Sequence, residues 1–520
     1  MSPAGLAANG PVPNGSGPPR RAPRSAGTTA RPGLALVVIM TGVLMSAVDT
    51  TIVVLALPEL ERALHVPLSG VVWVIIAYLL VITLLATQVG RLGDMFGRVR
   101  MYEAGFIVFI VGSALCALAV NELTIILFRV LQGVGGALIT ANSGAVIADT
   151  FPPERRGRAY GFNAVGFNLG AILGILLGGL IVTYVSWRWI FWINVPAGLV
   201  AFTLALRVLR DRGERQRQRL DLVGMVVLGA ALFGVLWAMT RLATTAADGE
   251  VLGALLGGLA LLVAFGFVER RQAAPMVNLG LFRIPTLTPT LLASLFQALA
   301  NYAVLFLVIM YLQGVRGLSP LHASVLLVPG YLVGGLVGPV AGRLADKVGP
   351  VIPATVGLAV QVVALVVYAQ LGTTTGLWLV VLAAVVNGVG SGNFFPANNS
   401  AVMKAAPGRQ FGVASGMLRT FSNVGMVFSF AVAILVAARS IPRRLAFAIF
   451  VGTTHLTARL AGPFTSGLHA AFYASISAMA LAAVCSATRV LTLRKHRSAT
   501  PPAADRAPAD PAVSASSGPA

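Results

Sequence analysis

Apolar runs of membrane length dominate the chain, separated by short segments rich in Arg, Gly and Pro. Because about 20 apolar residues span a bilayer, the pattern predicts fourteen helices. They cover 34–57, 69–89, 101–120, 123–148, 159–184, 189–207, 222–239, 251–268, 288–312, 322–341, 352–370, 376–402, 411–437 and 467–490. Residues 1–33, with NGPVPNGSGPPRRAPRS, and 491–520, with ATPPAADRAPADPAVSASSGPA, read as disordered tails. The first apolar run is no secretion signal. It is too long, contains an acid and lacks a small-residue cleavage site.

Polar positions inside these runs fall on helical stripes. On the first helix Gly42, Ser46, Asp49, Thr50 and Val53 share one face, and Leu44, Val48, Ile52 and Leu55 lie on others. A carboxylate at a membrane helix centre costs about 2.5–3.5 kcal/mol on insertion scales, so Asp49 should face the bundle interior and have a partner. On the fourth helix Glu122, Ile126, Arg129, Gly133, Gly136 and Thr140 form a second stripe. At about 1.5 Å per residue, Asp49 and Arg129 both lie about 10–14 Å from the same boundary. Asp49 reads either as glue between helices or as a protonatable coupling or cation-binding group. Arg129 is either its partner or a donor to backbone carbonyls. Burial disfavours a carboxylate and a nearby cation favours it, so proton occupancy at such a pair can be switched.

The chain also repeats itself. GRLGDMFGR (90–98) recurs as GRLADKVGP (342–350), and LQGVGGALITANSGAV (131–146) resembles VNGVGSGNFFPANNSAV (386–402) with one inserted residue. RAYGFNAVGFNLG (158–170) matches FGVASGMLRTFSNVG (411–425) at one offset, pairing Ala159 with Ala414, Gly161 with Gly416, Asn168 with Asn423 and Gly170 with Gly425. That offset exceeds six helices by two. The expected organisation is an all-α polytopic membrane protein with six-helix bundles over 34–207 and 288–490. Between them, 208–287 holds an inserted helix pair with its linkers.

Composition narrows the function classes. Only 11% of residues are charged and 57% are hydrophobic, against about 25% charge in a soluble chain. The net charge of +21 belongs to short loops and tails. Arg and Lys cluster before the first helix and after the even-numbered ones, which predicts both termini on the cytoplasmic side. The 438–466 segment departs from that rule with Arg439, Arg443, Arg444 and Arg459. Nothing resembles a basic, aromatic-interleaved nucleic-acid domain. Cys116 and Cys485 are far apart, lie in apolar runs and read as packing residues. No G-x-S-x-G, H-E-x-x-H, Walker A or G-x-G-x-x-G signature appears, so neither an enzyme nor direct ATP drive is expected.

Four stretches resemble the major facilitator superfamily, specifically its fourteen-span drug:proton antiporter branch (the EmrB/QacA type). AVDTTIVVLALP (47–58) resembles the first-helix motif, with Val54 where the family usually has Asn. GRLGDMFGRVR (90–100), RVLQGVGGA (129–137) and VSWRWIFWINVPAG (185–198) resemble later motifs, and MYLQGVRGLSPLHASVLLVPG (310–330) fits in the second half. The helix-five antiporter signature reads G-P-x-L-G-G in the family and GILLGG (174–179) here, with Ile175 in place of Pro.

The resemblance implies the two-bundle fold and a proton-coupled efflux transporter of amphipathic drugs or secondary metabolites, working by alternating access. It assigns a gating role to Gly90, Asp94, Gly97, Arg98, Gly342 and Asp346, and helix packing to Gly170, Gly174, Gly178 and Gly179. Asp49 and Arg129 are the expected proton-coupling residues. Asp94, Arg91 and Arg98 are expected in one tight loop. Candidates for the substrate cavity are Tyr78, Asn163, Asn168, Gln297, Asn301, Tyr302, Asn387, Phe394, Phe395, Asn398 and Asn423. An aromatic and amide wall suits large amphipathic molecules. No metal or cofactor is expected; the energy source is the proton gradient. The expected partners are the substrate, protons and the lipid bilayer of a bacterial plasma membrane, around a monomeric chain. A symporter or importer of a specific solute and a flippase of lipid-like substrates remain alternatives on the same fold. A membrane enzyme or receptor is the least favoured.

Overall fold

The structure is a computed structural model that describes residues 32–65, 68–151, 153–211, 219–244, 248–277, 279–405, 411–437 and 458–499. Every regular element among them is helical, as hydrocarbon demands of a spanning backbone that must satisfy its own N–H and C=O groups. The helices are α1 (Pro32–Leu64), α2 (Leu68–Phe96), α3 (Arg98–Ala117), α4 (Glu122–Thr150), α5 (Pro153–Tyr184), α6 (Trp189–Trp192), α7 (Asn194–Val208) and α8 (Leu222–Thr244). They continue as α9 (Gly249–Arg271), α10 (Leu287–Met310), α11 (Pro320–Val348), α12 (Val351–Tyr368), α13 (Trp378–Ala405), α14 (Phe411–Ala437) and α15 (Ala458–Ala499).

Among the described residues thirteen spans are long and apolar enough to cross a membrane, with α6 and α7 together forming one of them. α14, of 27 residues, falls where the thirteenth helix of the sequence pattern was expected. α6 and α7 meet at Ile193, whose backbone stays helical at φ −60° and ψ −28°, and together make the sixth expected helix; α10 ends in a π-helical turn, Tyr311–Val315. α15 reaches Ala499, into the segment expected to be a tail, because the Leu, Arg and Lys of LTLRKHRSA propagate a helix well. The N-terminal tail and residues 438–457 of the atypical loop lie outside the described residues.

The face at which the chain enters α1 is called proximal here and the opposite face distal. Three distal starts carry side-chain caps. Asn121 and Thr124 form a capping box on α4, Asp248 caps α9, and Ser319 followed by Pro320 caps α11. α1 packs on α5, α3 and α2 on α4, α11 and α12 on α13, and α10 on α14 and α15. The first and second halves of the chain touch through α5 against α11 and α2 against α14. α8 pairs with α9 and lies against both α2 and α14, with Trp73 and Phe233 in ring contact at 5.1 Å. Of the spans among the described residues α9 is the least buried, which leaves most of its surface to lipid.

Small residues set the closest approach. A methyl at Gly170 would lie 2.6 Å from the Leu44 carbonyl and 2.8 Å from Ala47 Cβ, and one at Gly178 would sit 3.1 Å from Ile52 and Leu55. Gly174 faces Thr51 and the Val48 carbonyl in the same seam. Gly179 faces the other half, where a methyl would meet the Leu321 backbone at 2.9 Å. The four glycines therefore do two jobs: three join α1 to α5, and the fourth joins α5 to α11.

Candidate functional site

The expected polar stripe of α1 faces inward. Asp49 has no exposed surface, nor has Arg129 on α4, and Arg129 Nη1 donates to Asp49 Oδ2 at 2.7 Å. The pair sits inside a network. Gln132, one turn after Arg129, donates from Nε2 to Asp49 Oδ1 at 2.8 Å and accepts from Arg129 Nη1 at 2.6 Å. Arg129 Nε donates to the Val74 carbonyl at 2.9 Å, and the guanidinium lies 4.1 Å over the Tyr78 ring. Asn194, the first residue of α7, donates to Asp49 Oδ1 at 3.4 Å. Ser113 on α3 accepts from Gln132 and Asn194, both at 3.1 Å, and donates to the Phe191 carbonyl at 2.9 Å.

α4 and α7 thus bond the Asp49 carboxylate directly, α2 and α3 hold the residues that bond it, and α6 holds Ser113. The effective desolvation penalty for two such ions is several kcal/mol each, which only close pairing and full hydrogen bonding offset. Asp49 meets both conditions. Arg129 does not quite, since its Nη2 is buried without a hydrogen-bond partner among the described residues. Asn194, one residue past Ile193 at the start of α7, brings its side-chain amide beside Asp49.

At the proximal face GRLGDMFGR is helical where a loop was expected. α2 continues to Phe96, and only Gly97, at φ 110°, breaks the path into α3. A left-handed residue there favours Gly, and a side chain would also collide with Asp211. Arg98 forks between Asp94 at 2.8 Å and Asp149, at the end of α4, at 2.7 Å. Asp211, just beyond α7, accepts from the Val99 N–H at 3.2 Å. Gly90 has open space where a side chain would be. Arg91, expected beside Asp94, points elsewhere and donates to the backbone carbonyls of Arg219, Ala274 and Pro275. The second copy of the motif builds no matching cluster. Gly342 and Asp346 lie within α11, and Asp346 is exposed and forms no ion pair among the described residues. The repeat has Pro350 where the first copy has Arg98, so the cation that gathers the acids is missing.

Contacts between the halves occur at both faces. Proximally, the Thr87 and Thr420 hydroxyls are 3.3 Å apart and the Arg419 guanidinium donates to the Thr140 carbonyl. Distally, Ser324 Oγ donates to the Ile175 carbonyl at 3.1 Å.

Four of the cavity candidates are buried in this structure. Tyr78 is fully buried and belongs to the Asp49 network, with its hydroxyl 3.2 Å from Ser46 Oγ. Gln297 is buried against Gln361 at 3.0 Å, and Phe394 is buried beside Phe395. Asn398 donates to Ser294 at 2.7 Å and accepts from the buried Arg489 at 3.1 Å. Close helix packing has engaged these four side chains within their own half. Asn387 donates to Asn301 at 3.1 Å, and Tyr302, Asn168 and Asn423 are half-buried. Phe395 is 38% exposed. The side chain of Asn163 lies outside the described residues.

Sequence reasoning missed Gln132, Ser113, Asn194, Arg419 and Arg489. Gln132 had a usable signal, its three-residue spacing from Arg129. Asn194 lies in the quoted helix-six motif. Ser113 is one small polar residue in an apolar helix, and nothing in the sequence sets it apart.

A multi-pass helical membrane protein with an internal repeat, and with an ion pair buried at mid-span, has the make-up of a membrane solute transporter. The Major Facilitator Superfamily profile matches residues 39–430, and the chain belongs to that family. It is a transporter, not an enzyme. It is 32% identical over 405 residues to the tetracenomycin C resistance and export protein of Streptomyces glaucescens, covering 77% of this chain and 75% of that protein. The drug efflux pump JefA of Mycobacterium tuberculosis is 31% identical over 78% of this chain and 80% of its own length. The riboflavin transporter RibZ of Clostridioides difficile is 29% identical over 75% of this chain and 85% of its own. In fold the chain is similar to an inward-facing, unoccupied bacterial homolog of the human lysosomal transporter Spinster. The TM-score there is 0.61 at 16% identity, covering 90% of this chain and 99% of that one.

Proposed function

We propose that this transporter is a proton-coupled exporter of amphipathic small molecules, drugs or secondary metabolites of its host, with Asp49 as the coupling carboxylate. The observation that carries the reading is the fully buried Asp49–Arg129 pair at 2.7 Å. Protonating Asp49 removes its charge and weakens its hold on Arg129, while Gln132, bonded to both, keeps the two side chains in register. A deprotonated Asp49 can hold Arg129 or attract a cationic substrate, but hardly both. Proton and substrate then compete, which is the minimal requirement for antiport. The proximal face is read as cytoplasmic from its Arg and Lys, in a bacterial plasma membrane. The resistance, export and efflux named for two relatives support the outward direction. A carrier of one specific solute is the second reading, favoured by the likeness to a riboflavin transporter. Substrate-induced proton flux in vesicles across a compound panel separates the two. Flux with several unrelated amphipathic compounds is expected, and flux with one solute alone overturns broad export.

A further inference from the structure

A second buried acid cluster lies at the proximal root of the α8–α9 hairpin, away from Asp49. Asp221, immediately before α8, and Glu269, near the end of α9, are each 2% exposed. Their carboxyls meet over Gly224, where a methyl would collide with Asp221 Oδ2 and lie 2.9 Å from Glu269 Oε1. Three backbone donors serve the pair. Gly224 N–H bonds Asp221 Oδ1 at 2.8 Å, Met276 N–H bonds Asp221 Oδ2 at 3.3 Å, and Val277 N–H bonds Glu269 Oε2 at 3.2 Å. Glu269 Oε1 is buried with no donor at all among the described residues.

Two carboxylates cannot hydrogen-bond each other, since both only accept. A proton on Glu269 Oε1 supplies the missing donor and removes one of two like charges from a buried site. Charge balance points the same way. Among the described residues Arg91 of α2 is a cation that interacts with both acids, and its N–H groups are engaged by the carbonyls of Arg219, Ala274 and Pro275. One guanidinium, one carboxylate and one carboxylic acid leave the cluster neutral. Gln88 of α2 completes the joint by bonding the Asp221 N–H at 3.2 Å and the Asp221 carbonyl at 3.3 Å.

We propose that Asp221 and Glu269 hold one proton between Glu269 Oε1 and Asp221 Oδ2, forming a second proton-binding site that clasps the α8–α9 hairpin to α2. The proton comes from and returns to solvent on the proximal face, and no other bond changes. Its loss sets two carboxylates against each other and loosens the segment that carries Met276 and Val277. Because α8 also touches α14, the clasp connects proximal pH to the seam between the halves.

The test is infrared difference spectroscopy on the full chain in lipid at about pH 7, where exposed carboxyls are ionised. A protonated-carboxyl carbonyl band is expected to survive Asp49→Asn and to be lost in Glu269→Gln, with Asp221→Asn as a second variant that alters it. The wild type needs no substitution. As pH rises its band should fade, and amide exchange at Met276 and Val277 should quicken together with it, by at least about tenfold. Absence of any such band in Asp49→Asn, or a band indifferent to both Glu269→Gln and pH, overturns the proposal.

Discussion

Asp49 and Arg129 stabilise each other only as a pair, and that can be measured residue by residue. Removing one partner of a buried ion pair leaves an uncompensated charge and costs about 3–5 kcal/mol. Arg129→Ala is therefore expected to lower thermal stability by that amount, and Asp49→Asn in the same chain to restore a large part of it. A double-mutant cycle on the purified protein reads this coupling directly. Additive losses would show that the two side chains are stabilised independently of one another. The pair was legible in the sequence because charge in an apolar run has to be answered, and helical spacing put both residues at one depth. Gln132 offered only its spacing from Arg129, and Ser113 and Asn194 were not legible, since neutral polar side chains are tolerated singly in apolar helices. Their convergence depends on how three helices cross. Arg489 was missed for a related reason: its partners, Thr290, Asn398 and Ser486, are neutral and come from three helices.

At the scale of elements, the glycines of α5 fix how closely α1 can approach. Gly170→Val is expected to destabilise the protein by about 1–3 kcal/mol through overpacking against Leu44 and Ala47. Gly253→Val, at a position on α9 with open space around it, should leave melting temperature unchanged. Equal effects from the two substitutions would show that close packing in the α1–α5 seam is not what these glycines provide. The spans of the described residues were readable from hydrophobic run lengths, and the inward face of α1 from its polar stripe. The ends of helices were less so. GRLGDMFGR carries three glycines and looked like a loop, yet only Gly97 leaves the helix, because Arg98, Asp94 and Asp149 tie the ends of α2 and α4 together. Asp94→Asn should loosen that tie, lowering turnover while the ranking of substrates stays the same. A reordered substrate profile would place Asp94 in substrate selection instead.

Across the whole molecule the two halves share a repeat but not its chemistry. The fixed offset puts Val304 opposite Asp49, and Asn387 opposite Gln132, so the Asp49 carboxylate has no counterpart in the second half. The second half offers neutral amides such as Asn301 and Asn387. Alternating access requires contacts between halves to break by turns. Joining Thr87→Cys to Thr420→Cys, whose hydroxyls now lie 3.3 Å apart, is expected to arrest transport until a reductant is added. The assay is made with Cys116 and Cys485 replaced by Ser, and full transport with the cross-link in place would mean that this seam does not open. The account as a whole rests on Asp49 as the group through which the proton gradient drives export. Asp49→Asn keeps the size and polarity of the protonated acid, so the protein should fold, insert and exchange neutral compounds downhill. The decisive measurement is substrate uptake into inverted vesicles under an imposed pH gradient: Asp49→Asn is predicted to abolish gradient-driven accumulation, and accumulation equal to that of the wild type would contradict the account.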